Sequence, residues 1–289
     1  MPELPEVEVT RRSIAPALVG RTIVSVATTS PSYFFLTPPH VLRRVLTGRR
    51  VDALERHGKY LMAKLDDGSQ LVLHLGMTGQ LIAAGAKSPR LVAGKSRKAI
   101  AADTTFQPDA HTHLGLTLSG RGPVVYFRDV RKFGKVAWLK PGKEHQRLEK
   151  LGVDALLANG ETLYVAARKR GTPIKSLLLD QAVLAGIGNI YADEALFLAK
   201  VRPTRAAKRV SRDECDSIVA AAQKVMLRSI ETGGSSISDY VNPDGRDGGY
   251  QNERRVYART GEPCSVCGTA IKRLVIAGRS SHYCPSCQK

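Results

Sequence analysis

The chain changes hydrophobic rhythm three times, and each change predicts a different layer. Residues 3–18 read as a helix, with Pro5 in its first turn and Gly20 just past its end. From about residue 21 to 139 the pattern shortens to β runs: Thr22–Ala27, Arg50–Glu55, Tyr60–Leu65, Gln70–Leu75, Leu114–Leu118, Val124–Arg128 and Lys135–Leu139. Turn signals such as Asp66-Asp67-Gly68 and Ser119-Gly120-Arg121-Gly122 separate them. This alternation predicts an antiparallel sandwich capped by the first helix. After Pro141 apolar residues recur at helical spacing in Leu148–Leu157, Leu163–Arg170, Ile174–Leu179, Ile190–Leu198 and Arg212–Glu231. Gly186-Ile187-Gly188-Asn189 breaks that run between two helices, and a glycine turn opening onto a helix start offers backbone N–H groups to a phosphate. Two stretches, 83–110 and 233–250, read as flexible loops; from Lys87 to Lys98 the first holds five basic residues and no acid. There is no internal repeat.

Charge narrows the partner. The chain carries 44 Lys and Arg against 26 Asp and Glu, a formal net charge of +18, which suits a polyanion such as nucleic acid. No apolar run approaches the roughly 18 residues that span a bilayer. Glu3, Glu6 and Glu8 stand where a signal peptide would place basic residues, so a cytoplasmic location is expected.

Cysteine spacing adds a metal. Cys264-Ser265-Val266-Cys267 and Cys284-Pro285-Ser286-Cys287 put two pairs of thiolates on two tight knuckles, a donor set for one structural zinc ion (Zn2+) with no open position. Cys215 falls in a helical pattern and reads as a packed, inert thiol.

The first residues add chemistry. Removal of Met1 leaves Pro2 as a terminal secondary amine, with Glu3 and Glu6 within one helical turn. An α-amine titrates near ~7.7–8.0, so part of it is an uncharged nucleophile at neutral pH. Condensed with an aldehyde, a secondary amine gives an iminium that stays cationic and draws electrons. A plainer role for the same residues is to start a helix, with the two acids facing its positive end.

Six separated segments then agree, and the chain resembles the bacterial formamidopyrimidine-DNA glycosylases. They are Pro2-Glu-Leu-Pro-Glu-Val7, His57-Gly-Lys-Tyr60, His74-Leu-Gly-Met-Thr-Gly79, Asp129-Val-Arg-Lys-Phe-Gly134, Ala185-Gly-Ile-Gly-Asn-Ile-Tyr-Ala-Asp193 and the four-cysteine ribbon. The resemblance implies an α+β fold in three parts. An N-terminal helix plus antiparallel β-sandwich covers 1–140, a helix–two-turn–helix DNA-binding domain covers 141–250, and a C-terminal zinc ribbon covers 251–289. It also implies a base excision repair glycosylase and abasic-site lyase, monomeric and without a membrane partner. Its substrate would be double-stranded DNA containing oxidised purines or abasic sites, in a bacterial cytoplasm or nucleoid.

Roles for single residues follow from the same resemblance. Pro2 is the nucleophile, Glu3 the general acid, and Glu6 orients the terminal amine. Lys59 supports β-elimination and holds a phosphate; Arg279, on a ribbon loop stiffened by zinc, is associated with δ-elimination. Met77, Arg131 and Phe133 fill the gap left by a flipped nucleotide, with Arg131 facing the estranged base. His74, His111, Arg170 and Asn189 are the remaining DNA-binding candidates, with His113 close enough to be confused with His111. Three features depart from the family pattern. The 83–110 loop is longer, Val130 and Lys132 replace a Pro and an Arg, and residues 233–256 match least. Two other readings are an endonuclease VIII-like enzyme for oxidised pyrimidines, which usually has Gly where Leu4 stands, and a non-catalytic zinc-ribbon protein, which would have lost Pro2 or Glu3.

Overall fold

The first helix forms where the sequence places it. In the computed structural model, which describes residues 2–86, 105–143, 145–236, 240, 242, 243 and 245–289, α1 runs Leu4–Leu18. The Glu6 carboxylate reaches back to accept the Glu3 backbone N–H at 2.8 Å, satisfying a donor that the helix itself cannot pair. Its apolar residues Leu4, Val7, Ile14 and Leu18 are buried.

Two compact units make up the chain: residues 1–145 with 232–249, and residues 146–231 with 250–289. In the first, β1 (Ile23–Thr28), α2 (Pro39–Leu46), β2 (Val51–His57), β3 (Tyr60–Leu65), β4 (Gln70–His74), β5 (Gly79–Ala83), β6 (Thr112–Leu118), β7 (Val125–Asp129) and β8 (Lys135–Leu139) follow α1. The strands form two antiparallel sheets, ordered β1-β6-β7-β5 and β2-β3-β4-β8. One core joins them: Leu61, Leu71 and Val136 from one sheet, Leu116 and Phe127 from the other, and Ile14 and Leu18 from α1. Each such side chain contributes about 1.5–3 kcal/mol by leaving water. Both α2 and β5 lie where no element was expected. Of the long loop, Ala86 and Phe106 are buried against Ile82, and the basic run Lys87–Lys98 lies outside the described residues.

In the second unit come α3 (Gln146–Glu149), β9 (Val153–Asp154), α4 (Gly160–Ala167), α5 (Ile174–Leu178), β10 (Leu184–Ala185), α6 (Asn189–Leu198), α7 (Arg212–Glu231), β11 (Lys272–Ile276) and β12 (Arg279–Tyr283). The continuous helix expected over 148–157 is a correction. A Cβ on Gly152 would meet the Val183 carbonyl oxygen at 2.4 Å, and that close approach lets β9 pair in parallel with β10. The Asp154 carboxylate then accepts the Leu156 N–H at 3.1 Å, which turns the chain rather than coiling it. Cys215 is buried in α7, and burial pushes its thiol up to about 11, the inert state expected for a packed thiol. Among the described residues no helix is long and apolar enough to cross a membrane.

Candidate active site and nucleic-acid interface

The residues that lead into α1 are buried. Pro2 is buried, and Glu3 and Glu6 are only 2% and 1% exposed. Besides capping α1, Glu6 accepts the Ser235 N–H at 2.9 Å, and its backbone carbonyl accepts the Tyr240 hydroxyl at 3.3 Å. Ser235 and Tyr240 are thus packed against α1, and Ser236 is buried, although 233–250 reads as a flexible stretch. Residues 237–239, 241 and 244 lie outside the described residues.

Lys59 sits on the tight β2–β3 turn, where Gly58 takes φ 55 and His57 pairs with Tyr60. Glu8 secures that turn, a role with no signal in the sequence. Burial would raise its pKa, but Arg11, Arg12 and Arg56 outweigh burial and hold it at about 2. Arg56 bridges the Glu8 carboxylate, at 3.1 Å, to the Gly58 carbonyl, at 3.0 Å, so α1 and the turn carrying Lys59 are tied together.

Met77, Arg131 and Phe133 converge for a topological reason. Residues 75–78 lead from β4 into the other sheet, and residues 130–134 lead back into β8. Because His74 pairs with Lys135 and Gly79 with Asp129, the two loops lie side by side. Gly76, at φ 63, makes this possible: a Cβ there would lie 2.4 Å from the Phe133 carbonyl carbon. The tips stand out, with Met77 38% and Phe133 43% exposed and Arg131 also exposed. The Arg131 guanidinium lies 4.8 Å from the Phe133 ring centroid. Underneath, buried Asp129 accepts the Thr78 hydroxyl at 2.5 Å and the backbone N–H groups of Arg131 (3.2 Å) and Gly134 (2.6 Å). His74 accepts the Gly76 N–H on Nδ1 at 3.1 Å. Of the two histidines, His113 is buried, and that burial lowers its pKa. His111 is half-buried on the turn before β6 and is the one that solvent or a ligand reaches.

In the second unit Asn189 opens α6 behind Gly188, and its Oδ1 is buried with no partner among the described residues. Arg170 pairs with Asp180 at 2.7 Å. Arg279 is exposed at the start of β12, beyond a two-residue turn in which Ala277 and Gly278 take φ 48 and φ 74. The four cysteine sulfurs lie within 4.8 Å of one another, with Cys264–Cys287 at 3.9 Å and Cys267–Cys284 at 3.5 Å. A zinc–sulfur bond of about 2.3 Å in a tetrahedron requires sulfurs about 3.8 Å apart, so the four fit one structural zinc.

The ribbon is docked by a buried ion pair that the sequence does not reveal. Lys175 and Asp193, both fully buried, meet at 2.6 Å. Lys175 also donates to the Ser280 carbonyl at 2.8 Å, and Asp193 accepts the His282 N–H at 2.8 Å, fixing the strand that begins at Arg279. Glu194 repeats the device: burial pushes its pKa up while it accepts the N–H groups of Arg255, Val256 and Tyr257. Lys175→Met is expected to destabilise the protein by about 3–5 kcal/mol by stranding Asp193, and a pairing of K175M with D193L is expected to be milder. Urea unfolding read by circular dichroism checks both.

Comparisons with known proteins bear on this arrangement. Residues 1–136 match the formamidopyrimidine-DNA glycosylase N-terminal domain, residues 151–241 its H2TH domain, and residues 261–289 the zinc finger found in FPG and IleRS. A formamidopyrimidine-DNA glycosylase from Thermomicrobium roseum is 40% identical over 304 residues, covering 100% of this chain and 99% of its own. The chain belongs to the formamidopyrimidine-DNA glycosylase family. The crystal structure of the MutM (Fpg) protein from Thermus thermophilus superposes with a TM-score of 0.83 at 36% identity, covering 99% of this chain and 98% of its own. A Lactococcus lactis Fpg mutant, complexed with DNA containing Fapy-dG, gives a TM-score of 0.84 at 32% identity over 100% of both. Like its family, the chain is a bifunctional DNA glycosylase and abasic-site lyase of base excision repair.

Proposed function

We propose that this glycosylase excises oxidised purines, 8-oxoguanine and formamidopyrimidines, from double-stranded DNA and then nicks the strand at the abasic site. The observation that carries this reading is the buried, capped start of α1. A chain terminus is ordinarily loose, yet here Pro2, Glu3 and Glu6 are held inside the protein. Order of that kind suits a nucleophile that must meet one carbon atom.

The nucleotide is flipped out, Met77 and Phe133 fill the gap, and Arg131 hydrogen-bonds the estranged base. The Pro2 nitrogen attacks C1′, the glycosidic bond breaks, and the base leaves with the bonding pair. Glu3 protonates the ring oxygen, and the sugar opens to an iminium on Pro2. Loss of the C2′ proton expels the 3′-phosphate, and a second elimination expels the 5′-phosphate, with electrons drawn each time toward the iminium. Water then releases the amine. Glu6 positions Pro2. Lys59, His74, His111, Arg170, Asn189 and Arg279 engage the backbone, Lys59 and Arg279 also assisting the two eliminations. The working form is a monomer in a bacterial cytoplasm, associated with the nucleoid.

Cleavage of 8-oxoguanine and dihydrouracil duplexes, compared under single turnover, tests the substrate class. Faster cleavage of 8-oxoguanine opposite cytosine is expected. Preference for dihydrouracil would instead make this an enzyme for oxidised pyrimidines.

A further inference from the structure

Next to the loop that carries Arg131 and Phe133 stands an aromatic residue that no part of the mechanism uses. The segment after β1 runs beside β8, where Phe35 bridges Val136 and the Phe34 amide carbonyl accepts the Val136 N–H at 3.0 Å. Phe34 points into the core, its ring 4.9 Å from Phe127, so its neighbour Tyr33 points outward. Tyr33 is 59% exposed, yet it is not a loose surface ring. Its hydroxyl donates to the Arg131 carbonyl at 2.8 Å. The Lys135 ammonium lies 4.9 Å from its ring centroid and also donates to the Gly134 carbonyl at 3.1 Å. Holding an exposed tyrosine at both ends costs rotamer freedom, so the arrangement needs a return.

The return is the shape of the loop. Lys132, one residue beyond the accepted carbonyl, sits at φ 57, which an L side chain keeps only when its surroundings impose it. Asp129 grips the Arg131 and Gly134 N–H groups from inside the loop. Tyr33 grips the Arg131 carbonyl from outside, so Arg131 is held through both its N–H and its carbonyl.

We infer that Tyr33 is a positioning residue for Arg131, and that it thereby sets which base the enzyme accepts opposite the lesion. This rests on the reading that Arg131 faces the estranged base. A guanidinium must meet a base edge with both bonds aligned to discriminate, so a small rotation of its backbone lowers the contrast between bases before it lowers affinity for DNA.

The test measures single-turnover excision of 8-oxoguanine opposite cytosine and opposite adenine, for the unaltered chain, Y33F, R131A and the double variant. Y33F removes one hydrogen bond and is expected to lower the cytosine-to-adenine ratio about 3- to 10-fold, with an unchanged melting temperature. R131A is expected to abolish the ratio, and Y33F added to R131A should change it no further, because the two act through one contact. An unchanged ratio in Y33F overturns the inference while leaving Arg131 in its role. A further drop in the double variant also overturns it, since Tyr33 would then act on DNA by itself. If R131A keeps the ratio, the assignment of Arg131 fails and the inference falls with it.

Discussion

A chain that keeps Met1, or carries a tag ahead of Pro2, is expected to bind damaged duplex and to form no covalent adduct with it. In an extended chain the Pro2 nitrogen belongs to a peptide bond, its lone pair is shared with the carbonyl, and it cannot add to C1′. The processed chain has the opposite character, because an α-amine near neutrality is partly uncharged and nucleophilic. The structure sharpens the expectation. Pro2 is buried, and the Glu3 N–H behind it is already committed to Glu6. An amine released there is therefore held in a fixed place, whereas an extended chain has no amine to present. Borohydride trapping on an 8-oxoguanine duplex measures this, with mass spectrometry establishing the state of the terminus. The processed chain should give a trapped species, and the extended chain background only. Equal trapping by both would remove Pro2 from the role of nucleophile.

Elements whose own residues determine them were legible in the sequence. The bounds of Tyr60–Leu65, Lys135–Leu139 and Arg212–Glu231 match the expected runs, because period and turn residues sit inside each segment. Where tertiary contact decides, the reading failed. No element was expected at Pro39–Leu46, although Val41, Leu42, Val45 and Leu46 carry a helical repeat and the prolines in front of them start α2. Strand β5 is too glycine- and alanine-flanked to stand out, and it exists by pairing with β7. The same division runs through the site. Tips such as Met77 and Phe133 carry a local signal, glycines beside apolar residues at strand ends, and both are exposed. Glu8, Tyr33 and the Lys175–Asp193 pair, which hold the Lys59 turn, the Arg131 loop and the Arg279 strand, act on residues far away in sequence, as does Asp129 on Thr78, so spacing gives no sign of these contacts.

Removing zinc, by chelation or by Cys264→Ala, is expected to abolish tight DNA binding. The reason lies in where the metal sits on the hairpin. Strands β11 and β12 form a two-stranded sheet, a structure that is marginal alone in water. Cys264 and Cys267 precede the hairpin and Cys284 and Cys287 follow it, so the metal closes the open end of the ladder while Arg279 stands at the turn. Zinc binding supplies on the order of 10 kcal/mol to such small folds. Without it, four thiols that repel once ionised are crowded within 4.8 Å. Affinity for an abasic-site duplex, measured by fluorescence anisotropy, should fall toward the non-specific range of roughly 10⁻⁴–10⁻⁶ M at physiological salt. Readded zinc should restore it in the chelated chain but not in the Cys264→Ala variant. Other supports are present, because Lys175 and Asp193 bond to Ser280 and His282 from outside the metal site, and Ile271 packs with Phe197 and Val256. A chelated chain that bound with full affinity would show that these contacts hold β12 unaided, and Arg279 would then not depend on the metal.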